Sequence, residues 1–412
     1  MNLANHIVSL KNKSMAHRTD YNAKYFFKVL GNAFLHIFLG ISYLMPRQKD
    51  KWLVGNAKGF NSNTKYFFLH AKLQLKKENC YWISKNRKSL DAVRRLGFKA
   101  YHPASPKGLY HLLTAGVYIY DIRVSALNAW TYGGAKLVNL WHGVGIKNVE
   151  HKVSNAPREV PVLSYLRHPV NYVRPHLFLS TAPLMTKHFA ECFRIPESRC
   201  LESTYPRCDI FKFSKEALLD HMRRIEGEEM VALAERLQSH ARTYIYMPTW
   251  RGTKKDFIKQ AGFDLARLEE ALAKNNAMFL FKLHQMTKLS IDTTAYPHII
   301  FLDSRMDIYP LLPFTDVLLT DYSSIYYDYL LMPEKEILLF PFDYEEYVTE
   351  DRDLAFDFDE YTPGQRAYNF EELLRQIAAN AHFELPKRQW ITEQFWGDAT
   401  HHRDLYQAVS QL

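Results

Sequence analysis

The sequence predicts an α/β protein with two doubly wound parallel sheets that face each other across a cleft. From residue 51 onward, short β-rich runs alternate with helical patterns, which is typical of βαβ units. The charge also changes sign along the chain. Residues 1–200 carry 30 Lys and Arg against 9 Asp and Glu (+21), and residues 201–412 carry 23 against 35 (−12), which together give the net +9. Two lobes with different partners follow from these observations.

Four segments are expected from the positions of these patterns. They are an N-terminal segment over 1–50, a first lobe over 51–210, a second lobe over 211–385 and a helical tail over 386–412. In the first lobe we predict strands at 51–54, 80–84, 99–102, 117–121, 136–140 and 176–180, with helices at 63–75, 89–96, 108–113 and 183–193. In the second lobe we predict strands at 244–247, 278–283, 299–302, 317–319 and 336–340, with helices at 215–240, 265–274, 308–312, 326–331 and 370–381.

Composition excludes several classes of protein. The 412 residues include 47% hydrophobic residues, 16 Gly and 18 Pro, so disordered, collagen-like and fibrous chains are excluded. Four cysteines without a CxxC pair predict neither a disulfide scaffold nor a zinc knuckle, and favour a reducing compartment. Neither GxxxxGK[ST] nor GxGxxG is present, and the aspartates near strand ends lack the spacing of metal ligands. We therefore expect no metal and no other cofactor.

The apolar stretch 25–45 has nearly the length of a membrane span. However, Lys28, Asn32 and His36 fall four residues apart and would line one face of a helix. Three interpretations stay open: an anchor lying in the lipid headgroup layer, a buried core helix, or a transmembrane span. We favour the first, because basic residues flank the stretch and would bind an anionic membrane surface. No cleavable signal peptide is expected, since residues 1–24 lack an apolar core.

Polar motifs follow four of the predicted strands, and ligands of open parallel sheets bind beyond the carboxyl ends of strands. The motifs are Trp141-His142-Gly143, Pro248-Thr249-Trp250-Arg251, Lys282-Leu283-His284 and Thr320-Asp321-Tyr322-Ser323-Ser324. The last one leads into a predicted helix, so its hydroxyls and backbone N–H groups suit a diphosphate. The alternative is plain helix capping by Asp321 or Ser323. Three neighbouring side chains would add cations or donors for a leaving phosphate: Arg251, Lys282 and His284.

His142 belongs to the other lobe and lies on a loop with Gly143 and Gly145. The glycines would let the backbone approach a substrate closely, and an imidazole can accept a proton from an attacking hydroxyl near neutral pH. The alternative is a loop histidine that is hydrogen-bonded to the backbone.

Taken together, these motifs resemble one family. With Tyr205-Pro206-Arg207-Cys208-Asp209, Tyr327-Asp328-Tyr329 and the late segment 341–347, they occur in the same order as in the CDP-glycerol glycerophosphotransferases. These are the teichoic-acid primases and polymerases, with relatives that build capsule polymers. The resemblance covers about residues 50–380. Two departures are visible: Cys208 stands where the family commonly has Asn, and Asp353 stands where it often has Gly.

The resemblance implies a GT-B-like fold of two Rossmann-like lobes, with the nucleotide held mainly by the C-terminal one. It implies metal-independent transfer of a polyol phosphate, expected to be glycerol phosphate, from a CDP-activated donor. The acceptor would be a hydroxyl of a membrane- or lipid-linked glycan or polymer, CMP would be released, and the enzyme would be peripheral (monotopic) on the cytoplasmic face of the cell membrane.

The resemblance also implies roles for particular residues of this chain. His142 would be the base and His284 the second essential histidine. The donor would be bound by Arg251, Lys282, Thr320, Asp321, Ser323, Ser324 and Arg352. Gly143, Arg207 and Asp209 would lie on the acceptor side.

Two other classes of protein stay open. One is a GT-B glycosyltransferase that uses another nucleotide-activated donor, since such folds host many donors. The other is a non-enzymatic protein that binds polyanions. No nucleic-acid partner is expected, because no RRM, KH or helix-turn-helix pattern is evident and the strand-end motifs lie mostly in the acidic half.

Overall fold

Two parallel sheets form the two lobes of the protein, as predicted. The computed structural model describes residues 30–32, 34–153, 165, 168–251, 257–283, 295–351 and 353–412. Every strand pairing in both sheets is parallel. The finding agrees with the alternation of strands and helices in the sequence.

The first sheet has seven strands in the order β3-β2-β1-β4-β5-β6-β7. They are β1 (Gln48–Gly55), β2 (Cys80–Ile83), β3 (Ala100–Tyr101), β4 (Ala115–Tyr120), β5 (Lys136–Asn139), β6 (Leu177–Ser180) and β7 (Cys200–Glu202). Its helices are α1 (34–43), α2 (Ser62–Leu73), α3 (Arg87–Arg95), α4 (Pro106–Thr114) and α5 (Pro183–Phe193). The order reverses between β1 and β4, and a crevice opens at such a switch point beyond the carboxyl ends of the strands.

The second sheet has six strands in the order β10-β9-β8-β11-β12-β13, which is again the doubly wound arrangement. They are β8 (Arg242–Tyr246), β9 (Ala277–Phe281), β10 (Ile299–Phe301), β11 (Val317–Thr320), β12 (Glu336–Leu339) and β13 (Gln365–Arg366). The remaining helices are α6 (Lys215–Ile225), α7 (Glu228–Gln238), α8 (Phe257–Gln260), α9 (Leu265–Lys274), α10 (Ile325–Tyr329), α11 (Tyr344–Glu346), α12 (Phe358–Tyr361), α13 (Phe370–Ala378), α14 (Arg388–Trp396) and α15 (Leu405–Ser410).

Local chemistry explains where several helices begin. Ser105 precedes Pro106 at the start of α4, and its hydroxyl accepts a hydrogen bond from the Gly108 N–H. Asp264 accepts bonds from two backbone N–H groups at the start of α9. Proline at the first helical position and a polar side chain just before it are common signals of a helix start, because they satisfy or remove unpaired N–H groups.

The predicted helix 215–240 is in fact two helices, α6 and α7. Gly227 separates them with a φ of 113°, a backbone conformation that glycine adopts without a steric penalty. The predicted helix at 308–312 is also wrong, because a turn and a short 3-10 helix (Leu312–Phe314) occupy this region. The edge strands β7 and β13 were not predicted, because they are only three and two residues long and show no periodicity.

The C-terminal helices α14 and α15 return to the first lobe. The Thr181 hydroxyl donates to the Phe395 carbonyl at 2.5 Å, and the Arg403 N–H donates to the Glu202 carbonyl at 3.0 Å. The Tyr406 ring stacks on His70 with 3.9 Å between ring centroids. The predicted tail is helical and joins the last part of the chain to the first lobe.

Helix α1 packs on the first lobe through its polar side. The Ser42 hydroxyl accepts a hydrogen bond from the Gly133 N–H at 2.9 Å. The His36 and Trp130 rings pack edge to face with 5.2 Å between their centroids. Within the described ranges, no helix combines the length and the apolar character that crossing a bilayer requires. Residues 25–29 of the predicted apolar stretch lie outside the described residues.

Candidate active site

A cleft of about 400 Å³ lies between the lobes, where the carboxyl ends of their strands face each other. Its lining comes from both lobes: Trp141, His142, Gly143, Val144, Gly145, Lys147, Val149, His188 and Phe189 from the first, and Pro248, Thr249, Trp250, Ser323, Ser324 and Tyr347 from the second. A concave site of this size with convergent polar groups is the usual form of a small-molecule pocket. The structure therefore places the His142 motif and the serine motif in one site.

The loop that carries His142 is held in a strained conformation. Trp141 has a φ of 50°, in the left-handed region that a bulky residue rarely adopts. The Trp141 N–H donates to the Asn139 side chain at 2.9 Å, and the Asn63 amide donates to the carbonyls of Leu140 and Trp141 at 3.1 and 3.0 Å. Such a backbone persists only where surrounding contacts stabilise it, and it is common at functional sites.

The Trp141 side chain anchors the same loop in the core. Its indole packs against three phenylalanine rings, with centroid distances of 6.1, 6.2 and 4.8 Å to Phe178, Phe189 and Phe193. Only 4% of Trp141 is exposed, so the loop cannot move without opening an aromatic cluster. The position of His142 is therefore set by packing as well as by hydrogen bonds.

Arg207 links the His142 loop to the second lobe. One end of its guanidinium donates to the His142 carbonyl at 2.6 Å, and the other donates to the Asp328 carboxylate at 2.6 Å. Burial raises the pKa of Asp328, and the Arg207 charge opposes this effect. The Tyr309 hydroxyl donates to the same carboxylate oxygen at 2.5 Å. Arg207, predicted for the acceptor side, lies behind the loop and does not line the cleft.

Gly143 lies close to the serine turn. A Cβ atom at Gly143 would lie 2.9 Å from the Ser324 hydroxyl oxygen and 3.1 Å from its Cβ. At Gly145 the nearest atom would be the Ser324 Cβ at 3.6 Å, which is an ordinary contact. Glycine at 143 thus permits the two lobes to meet at the cleft.

The motif 320–324 divides into buried and cleft-lining parts. The Thr320 hydroxyl donates to the Met247 carbonyl at 2.7 Å, and Asp321 accepts from the Thr249 N–H at 2.9 Å, so both are engaged below the surface. Ser323 and Ser324 line the cleft, and Ser324 starts α10 without a side-chain capping bond. Helix α10 has five residues, one fewer than the helix we predicted at 326–331, and the dipole of so short a helix contributes little to an anion site.

Arg251 is bound by two carboxylates of its own lobe. Its guanidinium donates to Asp321 at 2.6 Å and to both oxygens of Asp343 at 2.7 and 2.8 Å. Burial lowers the pKa of Arg251, but the charges of Asp321 and Asp343 outweigh burial and raise it. The predicted donor-binding cation therefore has its charge balanced within the second lobe, behind the wall formed by Thr249.

The other predicted site residues lie apart from the cleft or outside the described residues. The Lys282 ammonium donates to the Asp303 carbonyl at 2.8 Å, and burial lowers its pKa to about 8. Asp209 lines a second cavity of about 280 Å³ and pairs with Lys212 at 2.8 Å. His284 and Arg352 lie outside the described residues, so their assigned roles stay predictions.

Lys147 also lines the cleft and was not among the predicted site residues. Its ammonium donates to the Thr249 hydroxyl at 3.2 Å, across the gap between the lobes. The available signal was its place on the His142 loop, five residues further along the chain. Within the described ranges, no three His, Cys, Asp or Glu side chains are grouped as metal ligands would be.

Two all-parallel lobes with a histidine loop and a serine turn at a shared cleft define a GT-B-like protein. The family model described as CDP-Glycerol:Poly(glycerophosphate) glycerophosphotransferase matches residues 40–409, and the chain belongs to this family. The resemblance that the motifs indicated is thus confirmed.

Known relatives agree with this assignment. The teichoic acid ribitol-phosphate primase of Bacillus spizizenii is 26% identical over 82% of this chain and 85% of its own length. The teichoic acid poly(ribitol-phosphate) polymerase of the same organism is 23% identical over 87% of this chain but only 56% of its own length. A structure of the wall teichoic acid polymerase TagF has a TM-score of 0.68 at 19% identity, covering 94% of this chain and 96% of that one, and supports the fold.

Proposed function

We propose that this protein transfers a polyol phosphate, expected to be glycerol phosphate, from a CDP-activated donor to an acceptor hydroxyl and releases CMP. The acceptor would be a membrane- or lipid-linked glycan or polymer in teichoic-acid or capsule synthesis. Membership of the family supports the reaction class. The observation that carries the proposal is the meeting of the His142 loop and the Ser323–Ser324 turn in one cleft.

His142 would act as the general base. The acceptor oxygen attacks the distal phosphorus of the donor and a new P–O bond forms, while the bond from that phosphorus to the bridging oxygen breaks. CMP leaves with the electron pair of the broken bond, and the acceptor proton passes to His142. Imidazole suits this step because its usual pKa lies near neutral pH.

The donor diphosphate would lie against the second lobe. Ser323 and Ser324 offer hydroxyl and backbone donors in the cleft, and Thr249 lies beside them. Asp321 fixes this wall, because it accepts hydrogen bonds from the Thr249 N–H and from Arg251. In this proposal Arg251, Thr320 and Asp321 support the donor site from behind, and His284 and Arg352 complete it.

Helix α1 would attach the enzyme to the cytoplasmic face of the membrane. Its outer side and the neighbouring residues at both ends form an exposed apolar stripe: Leu30 (49% exposed), Phe34 (60%), Ile37 (58%), Phe38 (47%), Ile41 (48%) and Leu44 (83%). Apart from the adjacent pair Ile37 and Phe38, these positions are three or four residues apart, which is the spacing of one side of a helix. A helix that presents such a side away from the protein body can lie in the headgroup layer of a bilayer.

Donor selection tests the proposed function. Purified protein would be incubated with membranes that contain acceptor and with CDP-glycerol, CDP-ribitol, UDP-glucose or UDP-N-acetylglucosamine in turn. We expect CMP release with a CDP-polyol and no UDP release. Release of UDP alone would favour the glycosyltransferase class, and no turnover of any donor would contradict an enzymatic role for the cleft.

A further inference from the structure

We infer that Lys147 is a catalytic residue whose ammonium binds the phosphate that is transferred. The inference rests on the proposed function and adds a residue to its site. Lys147 follows His142 on the same loop of the first lobe, and it lines the cleft together with Ser323 and Ser324 of the second lobe.

The Lys147 side chain reaches from its own lobe toward the opposite wall. Its Nζ lies 3.2 Å from the Thr249 hydroxyl and 5.5 Å from the centroid of the Tyr347 ring. Thr249 and Tyr347 both belong to the second lobe and both line the cleft. The ammonium is therefore at the boundary of the lobes, beside the wall where the donor would lie.

No cation of the second lobe lines the cleft within the described ranges, whereas Lys147 of the first lobe does. Arg251 lies between two carboxylates, and the Lys282 ammonium is directed to the Asp303 carbonyl. Among the Lys and Arg residues of the described ranges, Lys147 alone is part of the cleft lining. A CDP-polyol brings two negatively charged phosphates, and a cation in a partly enclosed site stabilises them more than it would in water.

The backbone around Lys147 is held by the second lobe. Lys147 pairs with Leu354 in an antiparallel bridge, the Ala355 N–H donates to the Ile146 carbonyl at 2.6 Å, and the Asn148 amide donates to the Asp353 carboxylate at 2.6 Å. These bonds join the His142 loop to a late loop of the other lobe. The cation and the base are thus positioned together when the lobes are in contact.

The geometry points to the transferred phosphate, and not to the phosphate that leaves in CMP. The acceptor oxygen must lie beside His142 when it attacks, so the phosphorus under attack must also be near this loop. Lys147 belongs to this loop, whereas the nucleotide side is expected to lie deeper in the second lobe. Lys147 would stabilise negative charge on the non-bridging oxygens of the attacked phosphorus, and it takes no proton or bond in the step.

The test compares ligands that have or lack the distal phosphate. CDP-glycerol (CDP-ribitol if the enzyme uses that donor) and CMP would be titrated calorimetrically into wild type, Lys147→Met, Lys147→Arg and the control Lys136→Met. Lys136 is exposed at the start of β5, at the opposite end of the strand from the cleft. Turnover would be followed as CMP release, and folding by the thermal unfolding midpoint.

We expect Lys147→Met to lose about 10–100-fold in CDP-polyol affinity, the usual value of a hydrogen bond to a charged group, and to keep the affinity for CMP. Its kcat should fall by about 10²–10³-fold, as for other lost transition-state donors. Lys147→Arg should recover part of both losses, and Lys136→Met should behave as wild type.

Equal loss of CMP and CDP-polyol affinity in Lys147→Met, or no loss of either, would overturn the inference. If that variant unfolds more readily, Lys147→Gln, which can still bond to the Thr249 hydroxyl, takes its place in the same comparison. A wild-type protein that binds neither CDP-glycerol nor CDP-ribitol better than CMP would overturn the proposed function itself, and the inference with it.

Discussion

The backbone around His142 is held by Asn63 and Arg207, which do not line the cleft, and by the packed ring of Trp141. Asn63 and Arg207 bond to the carbonyls of residues 140–142, and the Trp141 ring fills an aromatic pocket beneath them. The strained φ of Trp141 costs of the order of 1–3 kcal/mol, which these contacts offset. An imidazole placed in this way needs no large rearrangement before it accepts a proton.

Replacing the imidazole should therefore remove catalysis and leave the donor site intact. We expect His142→Ala to lower kcat for CMP release by about 10²–10⁴-fold, the usual contribution of a general base. Donor affinity, measured calorimetrically, should stay close to that of wild type. His382→Ala is the matched control, because its side chain is 80% exposed in the second lobe. Full activity of His142→Ala would remove this residue from the mechanism.

Adding a methyl group at Gly143 tests whether catalysis depends on the close contact between the His142 loop and the serine turn. Gly143→Ala places a Cβ 2.9 Å from the Ser324 hydroxyl oxygen and 3.1 Å from its Cβ, so the hydroxyl has to rotate and the serine turn has to move slightly. A positioning error of about 1 Å can cost 10²-fold in rate, and because this shift is smaller we expect a fall in kcat/KM of about 10-fold. Gly145→Ala meets the same side chain at 3.6 Å and should lose much less. Equal losses in the two variants, measured as CMP release, would contradict this account.

Two elements of the first lobe connect the site to the second lobe. Helix α2 carries Asn63, which bonds to the His142 loop, and Lys65, whose ammonium pairs with Asp307 at 2.7 Å and also with Glu226. The short helical segment Pro206–Lys212 carries Arg207, which pairs with Asp328. These buried ion pairs join the lobes at one side of the cleft.

The forked shape of Arg207 matters, since one guanidinium bonds to both the His142 carbonyl and Asp328. Arg207→Lys keeps the charge but cannot hold both partners in the same way. We expect a loss of about 1.5–3 kcal/mol in the free energy of unfolding by urea, with lower kcat. Arg267→Lys, in an exposed two-bond pair with Glu371, is the control and should lose much less stability, because solvent screens an exposed pair. Equal losses would show that burial of the Arg207 pair is not what matters.

Helix α4 makes stability depend on pH through His111. Its ring lies 4.1 Å from the Tyr81 ring and 4.8 Å from the Tyr101 ring. Burial lowers the pKa of His111 to about 4, with help from three nearby lysines. The folded protein binds fewer protons here than the unfolded chain between the ordinary pKa of 6.5 and about 4, so stability falls as pH falls through this window.

His111→Phe and His111→Gln cannot be protonated and should make this dependence less steep, while His188 and His221, whose pKa values burial also lowers to about 4, still contribute to it. Urea unfolding at several pH values between 7 and 4 would measure the slope for wild type and both variants. The two replacement side chains pack differently, so a decrease in the pH slope that both variants share can be attributed to the lost protonation of His111. A slope as steep as that of wild type in both would contradict the assignment.

At the scale of the whole molecule, the exposed side of α1 belongs to the same lobe as the His142 loop, which lines the cleft. An enzyme whose acceptor is attached to a lipid benefits when its acceptor lobe lies on the membrane, because the search for the acceptor is then confined to a surface. The basic first half of the chain would add attraction to anionic headgroups, which salt should weaken.

Introducing two negative charges on the exposed side of α1 should therefore release the protein from vesicles. We expect Phe34→Glu combined with Phe38→Glu to lower binding to phosphatidylglycerol-containing vesicles by at least about 100-fold, from the lost burial of two aromatic rings. The control pair Leu109→Glu and Tyr110→Glu alters another exposed helix and should bind as wild type. Co-sedimentation measures both, and undiminished binding of the α1 variant would contradict membrane attachment through this helix.

Much of the fold and part of the site were predictable because they depend on local patterns. Strand periodicity predicted the two parallel sheets, and the position of polar motifs at strand ends predicted that His142 and Ser323 share one site. The structure has both residues in one cleft. Edge strands β7 and β13 were not predicted, since two or three residues are too few to show the alternating pattern of a strand. The break at Gly227 in the predicted helix 215–240 was also missed.

The sequence by itself determined the class of fold, the family and the placement of the two motifs that face each other. Only the tertiary structure decided which polar residues are available to a ligand. Arg251 and Asp321 look like donor contacts in the sequence, yet they neutralise each other beneath the cleft wall, while Lys147 reaches into the cleft. The physical reason is that a charged side chain lies beneath the cleft wall or lines the cleft according to its neighbours in space, and those neighbours come from segments 70 to more than 100 residues away.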